Sequence, residues 1–355
     1  MVLPHNVTEL AHALVNIPSV SGDEHTIAGI VEDELRSYSH LDVVRDGDAV
    51  VARTHGDNAT RIVLAGHLDT VPIAANVPGT LSGSELWGRG SVDMKAGDAV
   101  FLALARELSA PRMEVTYVFY DHEEVAAPLN GLGRIARNHP EWLRGDLAVL
   151  GEPTSGAIEG GCNGTLRMRI HTHGVAAHSA RPWMGVNAIH GLGEILRRLE
   201  RYPAQTHTVD GLDFRESLLA VAIEGGKSLN SVPDAATVTV NFRFAPDRSE
   251  QAAADYVRSL FSDLPVDFEI TDLAPGARPG MDHSELHRLA AILRSHGAPE
   301  PTAKLGWTDV ARFSSLGIPA VNCGPGDPLL AHADNEACPV GQIERTFQAL
   351  QEWLA

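Results

Sequence analysis

Three short, largely apolar runs constrain this chain more than any other feature. They are Arg61-Ile62-Val63-Leu64-Ala65-Gly66, residues 113–120 (MEVTYVFY) and residues 146–150 (DLAVL). Each is too short for a stable helix and lacks a clear polar face, so each reads as a strand buried on both sides. Helical patterns lie around them, over residues 23–38, with Asp23 as the expected N-cap, and over residues 96–108. Buried strands alternating with helices predict an α/β layer around a mostly parallel central sheet.

From about Gly164 the pattern changes. An alternating strand (TLRMRIHTH) is followed by a helix near 187–201, strands at 217–224 and 235–244, a helix at 249–261 and a strand at 265–270. That βαββαβ order is the split βαβ, ferredoxin-like arrangement of a small α+β domain. Helix and strand then alternate again at 284–296, 318–322 and 340–354. The chain therefore reads as an α/β domain of residues 1–162 and 277–355, interrupted by an inserted α+β domain of residues 163–276. A length of 355 residues suits two cores better than one.

The formal net charge of −18 opposes a nucleic-acid or anionic-membrane partner, because phosphate would be repelled. Cys162, Cys323 and Cys338 form no CxxC pair, which predicts free thiols in a reducing compartment. The segment MVLPHNVTEL has no basic stretch followed by an apolar run, and no run is long enough to span a bilayer. The expectation is a cytoplasmic protein.

The chemistry lies just past the strands. Ile62–Ala65 leads into His67-Leu68-Asp69, Val115–Tyr120 into Asp121-His122-Glu123-Glu124, and Leu147–Leu150 into Gly151-Glu152-Pro153. In open α/β sheets the carboxyl edge of the strands is where ligands bind. Asp93 precedes the 96–108 helix, and His332 follows the last apolar strand. Two histidines and several carboxylates at one edge, without thiolate, suit a pair of metal ions, zinc first and cobalt or manganese as substitutes. A metal pair also accounts for the adjacent glutamates. One can hold a cation, which relieves their repulsion, while its neighbour serves as the base for an attacking water.

The segments AGHLDTVP (65–72), GRGSVDMKAG (88–97), DHEEV (121–125) and GEP (151–153), with the late His332, resemble the di-zinc amidohydrolase family. That family includes aminoacylases, acetylornithine deacetylase and glutamate carboxypeptidases. The resemblance implies two zinc ions per subunit. Asp93 would bridge them, His67 and Glu152 would complete one site, and Glu124 and His332 the other. Glu123 would be the general acid/base, with Asp69 orienting His67. The inserted domain would be a lid and dimerisation domain, making the protein a homodimer. There His178, within Gly174-Val175-Ala176-Ala177-His178-Ser179, would reach the partner's active site, and Asn230 and Arg243 would bind substrate.

Longer segments, among them LGEPTSGAIEGGCNGTLR and NFRFAPDRS, resemble the branch of that family that cleaves N-succinyl-LL-2,6-diaminopimelate. The stretch Gly306-Trp307-Thr308-Asp309 keeps Thr308 as a substrate-binding position but puts a bulky Trp307 where that branch carries glycine. The implied reaction is hydrolysis of N-succinyl-LL-2,6-diaminopimelate to succinate and LL-2,6-diaminopimelate. Acetylornithine deacetylation, dipeptide hydrolysis and a catalytically silent metal-stabilised protein are the alternatives. Plainer roles exist for several residues: Asp93 as a helix N-cap, Glu152 as a strand end, His178 as a surface histidine and Arg243 as a solvent-facing charge.

Overall fold

The computed structural model describes residues 2–56 and 58–355. The chain divides into two compact units, one of Met1–Gly160, Pro279–Thr302 and Arg312–Ala355, the other of Gly161–Arg278 and Ala303–Ala311.

The first unit is built on an eight-stranded sheet. Its centre is parallel: Glu114–Tyr120, Arg61–His67, Leu147–Pro153 and Ala320–Gly324 lie side by side in that order. Antiparallel strands extend both edges, including the hairpin Leu41–Asp46 and Ala49–Thr54. The apolar runs are buried on both faces, as their lack of a polar face predicts. On one face, Ile62, Leu64, Val115, Tyr117, Phe119, Leu147, Val149, Val321 and Cys323 share a core with residues of helices Val7–Val15, Lys95–Glu107, Ser284–Ser295 and Val340–Leu354. All three cysteines are buried and free.

Helix Lys95–Glu107 lies very close to the sheet because glycines line the contact. A Cβ on Gly97 would sit 2.3 Å from the Gly151 carbonyl oxygen, and one on Gly66 would sit 2.2 Å from Asp98 Oδ1. The sequence predicts this helix over 96–108, within a residue at each end. The Asp23 cap is a correction. The helix is His25–Arg36, its N-cap is Glu24, and no side chain caps it. The Glu24 carboxylate instead accepts from the amides of Gly22 and His122.

A small three-stranded sheet went unanticipated. Glu85–Trp87 pairs with Thr80–Ser82 on one side and with Ala337–Pro339 on the other. Pairing Trp87 with Ala337 sets the turn that follows Trp87 beside the segment that precedes Ala337. Those two segments carry Asp93 and His332.

The second unit has a four-stranded antiparallel sheet in the order Ser217–Gly225, Ala235–Phe244, Gly164–His173, Val266–Ala274. With helices Ala188–Glu200 and Glu250–Ser259, the chain order is the expected βαββαβ. The helices and one sheet face enclose a core that includes Leu166, Ile170, Val240, Phe242, Phe244, Leu192 and Val257. A hairpin, Thr206–Val209 with Leu212–Arg215, is inserted after the first helix. Residues 303–311, expected in the α/β domain, cluster here instead. The Asn163 side chain donates to the Leu305 carbonyl, the Asn163 amide to that of Lys304, and Trp307 Nε1 to that of Pro275.

Among the described residues, no helix is long and apolar enough to cross a membrane.

Candidate metal centre

His67 ends the Arg61–His67 strand, so its side chain emerges at the carboxyl edge of the sheet. Its Nδ1 donates to the Asp69 carbonyl at 2.9 Å, which turns Nε2 toward Asp93 Oδ1 at 3.0 Å. The other oxygen of Asp93 lies 3.3 Å from His332 Nε2, and that same nitrogen is 2.9 Å from Glu124 Oε1. Asp93 thus stands between two imidazoles and offers one oxygen to each. It is not a helix cap: helix Lys95–Glu107 begins after Met94 without a side-chain capping bond.

Three overlapping donor groups result. His67, Asp93 and Glu152 bring ligating atoms within 4.8 Å of one another, as do Asp93, Glu124 and His332, and His67, Glu123 and Glu124. Asp93 is shared by the first two. Glu152 is buried at the end of its strand. His332 is half-exposed and has φ 65°, a left-handed conformation uncommon outside glycine.

The electrostatics follow from this crowding. Burial alone would depress the His67 imidazole, but Asp69 and Asp93 hold it well above its usual value. Burial works against ionised Asp93, yet His332 and His67 together keep its carboxyl far below the normal range. Hydrogen bonds to Asp93 and Glu124 push His332 up to about 10. Protonated imidazoles would thus offset part of the charge of these carboxylates. Divalent cations fit the same positions, because each would replace a proton between an Nε2 and a carboxylate oxygen. The all-nitrogen-and-oxygen set of imidazoles and carboxylates fits zinc, cobalt or manganese.

The Asp69 carboxylate lies 3.5 Å from His67 Nδ1 and makes closer contacts elsewhere. Its Oδ1 accepts from the Glu123 amide at 2.9 Å, and its Oδ2 from the Glu124 amide at 3.1 Å and the Ser21 hydroxyl at 2.6 Å. The glutamate pair is thus held by its backbone against the segment after His67. Just before it, His122 has φ 58°, donates its amide to Glu24 and sets its ring against Asp121, which Arg134 grips at 2.7 and 3.0 Å.

His67, Asp69, Asp93, Glu123, Glu124, Glu152 and His332 are therefore gathered in the first unit. His178, Asn230, Arg243 and Thr308 belong to the second. His178 is exposed on the Ala177–His178 strand, which pairs with Ser231–Val232, and its Nδ1 accepts from the Ala180 amide. Next to it, the Ser179 amide donates to the Asn230 carbonyl at 2.9 Å. Arg243 lies on the face opposite the buried Phe242 and Phe244, where burial and then Arg167 push its pKa down. Thr308 is buried, and its carbonyl lies 3.8 Å from Cys162 Sγ. Ser21, Glu24, Arg89 and Glu336 escaped the sequence reading. Arg89 lies within GRGSVDMKAG (88–97) and Glu336 four residues past His332, but nothing in either segment shows that the two side chains meet, 247 residues apart. Ser21 and Glu24 stand in no motif and reach Asp69 and His122 across 48 and 98 residues.

The model for peptidase family M20/M25/M40 matches residues 63–355. A Corynebacterium glutamicum protein named succinyl-diaminopimelate desuccinylase is 44% identical over 98% of this chain and 95% of its own. A Mycobacterium tuberculosis protein, whose name assigns it the same activity provisionally, is 50% identical over 98% of this chain and 97% of its own. Among solved structures, a Staphylococcus aureus tripeptidase superposes with a TM-score of 0.79 at 21% identity, covering 99% of this chain and 98% of that one. The fold, the donor set at the sheet edge and these matches agree: the chain belongs to peptidase family M20/M25/M40.

Proposed function

We propose that this protein is a zinc-dependent amide hydrolase that converts N-succinyl-LL-2,6-diaminopimelate and water to succinate and LL-2,6-diaminopimelate. The observation that carries the substrate is 44% identity, over nearly the whole of both chains, to the C. glutamicum protein of that name. The gathering of His67, Asp93, Glu124, Glu152 and His332 supports the metal.

In this reading Asp93 would be shared by two zinc ions, His67 and Glu152 would complete one site, and Glu124 and His332 the other; cobalt or manganese could substitute. Metal ions so held lower the pKa of water toward neutrality and polarise a carbonyl. Glu123 takes a proton from the attacking water and delivers it to the amide nitrogen as the C–N bond breaks. Asp69 holds the Glu123 backbone in place for both transfers. Arg243 pairs with a substrate carboxylate, which lets an acidic protein accept an acidic substrate. Asn230 and Thr308 are further substrate-binding positions. The second unit acts as lid and dimer contact, and His178 of the partner subunit stabilises the oxyanion. The protein works in the cytoplasm, where its diamino acid product would be used.

The test is hydrolysis by zinc-loaded protein of N-succinyl-LL-2,6-diaminopimelate against N-acetylornithine, with light scattering on the same preparation for the dimer. The succinyl substrate should be strongly preferred, and Glu123→Ala should lose about 10²- to 10⁴-fold in kcat. Preference for acetylornithine would overturn the substrate. No turnover with two zinc ions bound would overturn the enzyme, and a monomer would remove His178 from the mechanism.

A further inference from the structure

Arg89 and Glu336 form an ion pair at 3.0 Å with side chains only 3% and 1% exposed. A buried pair of this kind rarely justifies itself as stabilisation, because desolvation offsets much of the attraction. What its other atoms touch suggests why it is here. Glu336 Oε2 also accepts from the Gly90 amide at 3.1 Å. Its Oε1 accepts from the amides of Val92 at 2.8 Å and Asp93 at 3.0 Å. One carboxylate therefore gathers the N–H groups of the turn that ends in Asp93. That turn lies outside any helix or strand, so these amides have no ladder to satisfy them.

Arg89 extends the arrangement in the other directions. Its Nε donates to the Pro72 carbonyl at 3.1 Å and its Nη1 to the Ala333 carbonyl at 3.2 Å, while the Gly88 amide donates to the Glu336 carbonyl. The pair thus ties three segments: the one after His67 and Asp69, the one carrying Asp93, and the one carrying His332. Through Ala333 it also grips the residue after His332, which itself has a left-handed φ of 65°.

We propose that the Arg89–Glu336 pair is a positioning element that pre-forms the Asp93 turn and thereby sets the affinity of both metal sites. This rests on the metal-centre reading above, but not on the identity of the substrate. Asp93 must aim one oxygen to each side while surrounded by other carboxylates that repel it. Fixing its own amide and two amides just before it removes the backbone freedom that would let it turn away. The carboxylate matters as an acceptor for several donors at once, so the isosteric Gln is not equivalent. Its NH₂ would face N–H groups and leave buried donors unsatisfied.

The experiment is zinc titration against a competing chelator for the wild type, Glu336→Gln, Glu336→Asp and Arg89→Lys, alongside urea unfolding and steady-state kinetics. Glu336→Gln should bind zinc 10- to 100-fold more weakly, the usual scale for residues that orient ligands. Arg89→Lys, which loses the fork that reaches Pro72 and Ala333, should fall between it and the wild type. Once zinc is saturating, KM should stay close to wild type. Folded Glu336→Gln with wild-type zinc affinity and a lower urea midpoint would reduce the pair to a stabilising contact and overturn the proposal. If Glu336→Gln does not fold, wild-type affinity in both Glu336→Asp and Arg89→Lys would overturn it equally. A wild type that binds no zinc would sink the metal reading itself, whereas one that binds zinc but ignores the succinyl substrate would sink only the substrate.

Discussion

At the scale of single residues, Asp69 ties several parts of the site together, accepting from the Glu123 and Glu124 amides and the Ser21 hydroxyl. The HLD triplet at a strand end draws attention to His67 and Asp69, and the family resemblance suggests that the two act as a pair. The wider role of Asp69 is not legible in the sequence, because the amides it accepts from lie 54 and 55 residues further on. The structure shows its carboxylate closer to those amides than to the His67 ring, which it approaches at 3.5 Å. Asp69→Asn keeps one acceptor oxygen but turns an NH₂ toward an N–H or hydroxyl donor. Its kcat is expected to fall by roughly 10- to 100-fold, the scale for removing a residue that orients a functional group. The metal content should stay near wild type, because the His67 Nδ1 bond goes to the Asp69 backbone and survives the substitution. Steady-state kinetics with metal analysis checks both. A variant that loses its metal would make Asp69 chiefly a support for His67.

At the scale of elements, the apolar runs and helical periods placed most boundaries within one or two residues, since a core enforces burial wherever the pattern is strong. Strand 235–244 and helix 340–354 coincide with Ala235–Phe244 and Val340–Leu354. The three-residue strands of the small sheet left no such trace: Thr80–Ser82 is exposed throughout, yet that sheet brings Asp93 toward His332. Nor does periodicity reveal how close two elements approach. Gly97 sits within a helical pattern where alanine would ordinarily be favoured by about 1 kcal/mol. Here the added methyl would meet the Gly151 carbonyl oxygen, and neither backbone can yield without moving a helix or a central strand. Gly97→Ala is expected to destabilise the protein by about 2–3 kcal/mol in urea unfolding, within the range for overpacked cores. Gly66→Ala should cost less. The nearest atoms to its methyl end the side chains of Asp98 and Met94, which can swing aside. Equal losses in the two variants would mean that helix Lys95–Glu107 adjusts as a whole.

At the scale of the whole molecule, a net charge of −18 makes acid response a question about which carboxylates are paired. Glu32 is held below its ordinary pKa by Arg45 and Arg36. Burial works against ionised Asp48, but Arg45 and His25 outweigh it and lower its pKa too. Both are depressed acids, so their contribution is fully present above the unfolded values, near 4.5 and 3.8, and is lost as pH falls through the lower folded ones. Buried Glu24 and Asp98 are raised instead and favour the folded state as pH falls, so the wild-type acid profile mixes opposite signs. Arg45→Met isolates one of them. Arg45 bonds Glu32 at 2.8 Å and Asp48 at 2.6 Å, with all three side chains a quarter exposed or less. That geometry supports a loss of about 1 kcal/mol at pH 7, the upper end for ion pairs at a surface. The gap in urea stability between variant and wild type should shrink as pH falls below about 4.5 and on through the lowered folded values of the two carboxylates. A gap that persists unchanged at pH 3 would mean that Arg45 acts through packing of its aliphatic stem rather than through its charge.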